Sequence, residues 1–93
     1  SVKVDAKDSL GADDLNAAAA SLRGALSRCE GGLPGMVVKV DVEVSPAGRV
    51  TSASAHKPLR GSALSRCVEE VARGARFPAL RAAQSVTLAL RLP

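Results

Sequence analysis

Few side chains in this sequence are equipped for covalent or acid–base chemistry. Cys29 and Cys67 are its only cysteines, and His56 is its only histidine. The cysteines lie too far apart in sequence for a C-x-x-C redox pair. Two cysteines and one histidine do not complete a four-ligand zinc set, and His56 falls in a stretch of strand pattern away from both. No Ser-His-Asp combination, phosphate-binding loop or helix with facing carboxylates is present. Gly31-Gly32 and Pro34-Gly35 lack the spacing of a phosphate cradle and read as a connector. His56 reads as an exposed residue at a strand end. The expectation is therefore a protein with no catalytic residues, no metal site and no cofactor.

The two cysteines then have two readings, a disulfide or a pair of buried thiols packing as small hydrophobes. Each closes the same pentapeptide, Ala-Leu-Ser-Arg-Cys, at 25–29 and again at 63–67. The first copy is followed by the helix-breaking "EGGLPG" and the second by the helix-continuing "VEEVARG". They occupy opposite ends of their helices, so the likeness is no internal repeat.

Ninety-three residues suit one small domain. Its hydrophobic fraction of 46% comes mostly from Ala, Val and Leu, with Phe77 the sole aromatic. Such a core buries little area per side chain and gains from a cross-link. The net charge of +4 is spread over arginines interleaved with acids. Glu69 and Arg73, and Arg66 and Glu70, have the i,i+4 spacing of solvated helix pairs. Without aromatics on which bases stack, nucleic-acid binding is not expected, and a basic RNA-binding module is the weakest reading. No apolar run approaches the roughly 20 residues of a membrane-spanning helix. No signal peptide opens the chain, which starts on Ser; we expect a piece of a longer protein, with any tether upstream.

Residues 2–5 ("VKVD") alternate as a short strand would, within an N-terminal arm over 1–9. From Ala12 to Glu30 the pattern is helical, with Leu15, Ala19, Leu22, Leu26 and Cys29 forming one apolar stripe. Gly11 is the N-cap, and Asp13 and Asp14 favour the first turn. From Met36 to Val44 every even position is apolar, and Lys39, Asp41 and Glu43 stand between, a strand with one wet face. Ser45–Arg49 forms a hairpin loop, with Gly48 free to take a positive φ. A second strand runs over 50–56 with Val50, Ala53 and Ala55 inward, which needs a bulge near Thr51-Ser52. Ser62 caps a second helix over 62–74 whose inner face is Leu64, Cys67, Val68, Val71, Ala72 and Ala75. Phe77 plugs the core, and a last strand covers 85–92. The order (β)αββαβ implies an α+β domain over 10–93, an antiparallel sheet with both helices on one face.

That order makes the helices antiparallel neighbours, so the end of the first lies beside the start of the second. Cys29 and Cys67 fall there on inward stripes, within reach of a bond that the sequence does not prove. A bond would close a loop of roughly 38 residues, worth about 3–4 kcal/mol in the chain-entropy model.

The run "MVVKVDVEVSPAGRVTSASAHKPL…ALSRCVEEVARGARFPA…SVTLALRL" resembles the C-terminal domain of TonB and its relatives. The shared features are the valine-rich strand, the P-x-G-x-V hairpin of Pro46, Gly48 and Val50, a helix ending in Phe77-Pro78, and a final strand. The nearest likeness is to TonB-like C-terminal domains of myxobacterial adventurous-gliding and related envelope proteins, where cysteines stand at the positions of Cys29 and Cys67. This chain carries Glu30 and "LALRL" where those relatives often have aromatics. The resemblance implies a periplasmic module at the end of an inner-membrane protein that transduces energy or drives motility. It implies a last strand, here Ser85, Val86, Thr87, Leu88, Ala89, Leu90 and Arg91, that forms a sheet edge and accepts a partner peptide by strand addition. Residues 1–5 would cover that edge in the isolated domain. A protein or peptide partner is expected, with no direct membrane insertion of this chain. A structural domain that dimerises and binds no peptide is the second reading.

Overall fold

A computed structural model describes residues 6–57 and 61–93. The valine run behaves as its alternation requires. β1 (Val37–Val44) buries Val38, Val40, Val42 and Val44 and exposes the residues between them. It is the central strand of three, with β2 (Val50–Ala55) antiparallel on one side and β3 (Gln84–Arg91) antiparallel on the other. The register slips at Thr51: Glu43 faces Ser52 while Val44 faces Val50. This is the bulge that the broken alternation demands. In the hairpin, Gly48 has φ +80°, and a Cβ there would collide with the Phe77 carbonyl. That approach is held by a hydrogen bond from Phe77 N–H to the Gly48 carbonyl at 2.9 Å.

The helices α1 (Ala12–Ser21), α2 (Arg23–Leu26) and α3 (Ala63–Ala72) complete the fold. α1 packs on β3, whereas α3 lies over β2 and β1. The fold is thus α+β, as expected. The expected continuous helix over 12–30 is not found. The Leu22 N–H donates three residues back, to Ala19, at 3.2 Å, and the Ser21 hydroxyl takes the Ala18 carbonyl at 2.7 Å. The Ser27 hydroxyl likewise donates to the Gly24 carbonyl at 2.6 Å. Small hydroxyl side chains compete for backbone groups, and Gly24 is a poor helix former, so the helix breaks at Leu22 and stops at Leu26. Cys29 follows the helix instead of closing it.

Ala18, Leu22 and Leu26 are buried, with Leu15, Ala19 and Cys29 half-buried beside them. On α3 the buried residues are Leu64, Val68 and Ala72, continued by Ala75 and Phe77. Ser65 is fully buried as well, which the hydrophobic stripe does not announce. Its hydroxyl donates to the Ser62 carbonyl at 2.8 Å, and its N–H to the Ser62 hydroxyl at 3.0 Å, so its polarity is spent within the cap.

The expected i,i+4 pairs of α3 do not form. Arg73 bonds Glu70 at 3.2 Å, and Arg66 donates to the Gly61 carbonyl. Glu69 turns to β2. The short strand expected at 2–5 lies outside the described residues. The chain just after it makes one parallel bridge, Lys7 N–H to Ala79 O (2.9 Å) and Arg81 N–H to Lys7 O (3.0 Å).

Cys29 and Cys67 are joined in a disulfide with Cα atoms 5.6 Å apart, across a sequence separation of 38. The free-thiol alternative is thereby set aside. The bond ties the end of the α1–α2 segment to the first turns of α3.

Candidate interaction edge

β3 ends the sheet on one side. Leu92 N–H donates to the Met36 carbonyl at 2.8 Å, in register with the pairs Val38–Leu90, Val40–Leu88 and Val42–Val86. In an antiparallel ladder this alternation turns the peptide groups of the even residues toward β1. Those of Ser85, Thr87, Ala89 and Arg91 therefore point away from the sheet. Among the described residues, no backbone hydrogen bond from another segment reaches them. The core-facing side chains of the strand are Leu88 and Leu90, fully buried, and Val86, half-buried.

The opposite edge is capped at its two ends. On β2, the outward N–H of Ala55 donates to the Glu69 carboxylate of α3 at 2.7 Å. At the other end of that strand, Arg49 forms a bridge with Arg76, and Phe77 N–H takes the Gly48 carbonyl. Pro46 accepts from Leu80 N–H at 2.8 Å. Of the hairpin residues, Pro46 and Gly48 thus clasp the segment after α3, Val50 pairs with Val44, and all three lie away from the outer side of β3.

α1 runs alongside β3. It starts next to Gln84, whose side chain accepts from Leu10 N–H at 2.9 Å. Asp14 anchors that end, accepting from Lys7 Nζ at 2.8 Å and from Gly11 N–H at 3.0 Å. The Lys7 hydrogen bond, then that from Gly11, hold the Asp14 carboxyl below its ordinary range. Farther along, a cleft of about 400 Å³ separates helix from strand edge, lined by Asn16, Ala19, Ala20, Arg23, Ala89 and Arg91. That size lies in the range of about 300–1,000 Å³ seen for ligand clefts.

The open face of the sheet carries a polar rung. Asp41 Oδ1 lies 2.8 Å from His56 Nε2 and accepts from the Thr87 hydroxyl at 2.6 Å. Ser85 donates to Glu43 at 2.7 Å. His56 is exposed at the end of β2, as its position in the sequence suggests. These bonds brace β3 against β1 and leave its outward peptide groups untouched. Among the described residues, no three His, Cys, Asp or Glu side chains are placed to hold a metal ion.

Of the seven residues expected to form the edge, Ser85–Arg91, all lie in β3, and four present their backbone outward. Sequence reasoning missed the cleft residues Asn16, Ala20 and Arg23, because a helix face counted as solvated carries no mark of a neighbouring strand edge. It also missed Glu69 as the cap of β2. No family model, curated protein or solved structure matches the chain. The disulfide fits an oxidising compartment, of which the periplasm is one. Among the described residues, no helix is long and apolar enough to cross a membrane.

Proposed function

We propose that this chain is a non-catalytic protein-interaction module that takes an extended partner segment as an added strand beside β3. The observation that carries the reading is the asymmetry of the sheet. One edge is capped at its ends by Glu69 and the 76–77 segment, and the other turns four residues' peptide groups outward beside a cleft. Main-chain hydrogen bonds would supply affinity, and side chains along the cleft would supply selectivity. The resemblance to TonB C-terminal domains supports the wider setting, a periplasmic domain held to the inner membrane by an upstream segment and working in energy transduction or motility.

Amide hydrogen exchange tests the reading, with the tightest binder from a displayed random peptide library as the probe. In the free domain the amides of Ser85, Thr87, Ala89 and Arg91 should exchange fast and those of Val86, Leu88 and Leu90 slowly. Bound peptide should protect the first set. Protection confined to the helices would sink the proposal. The same edge can also pair with its counterpart in a second copy, which favours the dimerising reading as the alternative. Sedimentation over a range of concentrations separates the two: a dimer that protects those four amides without peptide would replace strand addition.

A further inference from the structure

We propose that the corner where the hairpin meets the segment after α3 binds a phosphate group between Arg49 and Arg76. These two arginines face each other across an isolated antiparallel bridge. The hydrogen bond from Phe77 N–H to the Gly48 carbonyl joins the residues that flank the pair. Arg49 and Arg76 are therefore a non-hydrogen-bonded pair, in which opposite Cα atoms stand about 4.5 Å apart and side chains lie closest. Both side chains are exposed, and both leave the ribbon on the same face. Neither has a carboxylate partner among the described residues: the ion pairs join Lys7 to Asp14, His56 to Asp41, Arg73 to Glu70 and Arg81 to Asp8.

Like charges placed directly opposite each other destabilise a strand pair. Here the backbone beneath them is pinned. Ser45 N–H donates to the Arg49 carbonyl at 2.8 Å, and Leu80 N–H to the Pro46 carbonyl at 2.8 Å. Gly48 sits so close to the Phe77 carbonyl that a Cβ would not fit. The fold thus holds two guanidinium groups together at a fixed place, and an oxyanion relieves their repulsion. Each guanidinium is a planar fork of donors that matches a pair of phosphate oxygens. A carboxylate offsets one of the two positive charges. A phosphate monoester, at about −1.5 to −2 near pH 7, offsets both. The pair therefore favours phosphate over carboxylate. Because the backbone is already set, binding orders little beyond the two side chains. This corner lies on the β2 side of the sheet, across β1 from β3, and the inference does not rest on strand addition.

The test compares wild type with R49Q, R76Q and R49E at about pH 8, where a phosphate group is close to doubly charged. Melting is followed in chloride and in inorganic phosphate at equal ionic strength. In chloride the three variants should melt above wild type, R49E the most, because it sets opposite charges across the bridge. Phosphate should raise the melting temperature of wild type more than that of any variant. Its general salting effect acts on all four proteins alike, so equal gains would overturn the proposal. Amide shifts on titration with phosphate should saturate at residues 48–50 and 76–77, with affinity about tenfold lower in R76Q. Shifts that do not saturate, or that lie elsewhere, would overturn it as well. A further arm separates the sources of the group. Retention on vesicles of phosphatidic acid in phosphatidylcholine, lost in R49Q and R76Q, would assign it to a lipid headgroup. Saturation by inorganic phosphate without such retention would assign it to a soluble phosphate.

Discussion

At the residue scale, two carboxylates act in ways their positions in the sequence do not advertise. Glu69 has the spacing of a surface ion-pair partner, yet its Oε2 accepts the Ala55 N–H at 2.7 Å. Removing the acceptor strands a donor on a fully buried residue, which costs about 1–3 kcal/mol. Glu69→Ala should therefore lower unfolding free energy in urea by about that amount. Glu69→Gln keeps a carbonyl acceptor and should lose clearly less. Equal losses in the two variants would mean that the charge, and not the hydrogen bond, matters. Asp14 gives a pH signature. Its carboxyl, held below the ordinary 3.8 by Lys7 and Gly11, favours folding when ionised. That contribution is complete above the unfolded value and disappears as pH falls through the lower, folded one. Between about pH 5 and pH 2, wild-type stability should therefore fall more steeply than that of Asp14→Asn. Parallel slopes would remove Asp14 from the anchor.

The strands and the second helix are legible in the sequence because their signals are local. The period-two valines state which face of β1 is buried, and Ser62 states where α3 begins. The bulge at Thr51 follows from a single slip in alternation. The first helix is harder, because its stripe continues smoothly through Leu22 and Leu26 to Cys29. What breaks it is a competition between the Ser21 and Ser27 hydroxyls and the backbone, which periodicity does not register. The edge was legible only as a strand; that its outward side meets no backbone partner among the described residues depends on where α1 comes to rest. One prediction belongs to this scale. A Cβ at Gly24 would meet nothing within 4 Å. Gly24→Ala should then stiffen the short α2 and raise stability by about 0.5–1 kcal/mol, read as a higher melting temperature. A lower one would show that the turn at Leu22 needs the freedom of that glycine.

Across the whole molecule, the question is what holds the α1–α2 segment to the sheet. Six of its fifteen residues are alanine, and its buried side chains are few: Ala18, Leu22 and Leu26. At the Gln84 end it is fixed by Leu10, Lys7 and Asp14. At the other end the covalent tie is the Cys29–Cys67 bond, which closes a loop spanning both strands of the hairpin. For that separation the chain-entropy model gives about 4 kcal/mol, a large part of the roughly 5–15 kcal/mol of a typical domain. The bond should therefore matter more here than in a core rich in large side chains. Cys29→Ser/Cys67→Ser, or reduction of the wild type, should lower unfolding free energy by about 2–4 kcal/mol. The β1–β3 ladder contains neither cysteine, so Val86, Leu88 and Leu90 should remain the slowest-exchanging amides of β3 in whatever fraction stays folded. The helix side of the cleft hangs on the released segment, so selectivity from the cleft should weaken before strand addition does. A reduced domain with unchanged stability would show that apolar packing alone holds α1 and α2 in place.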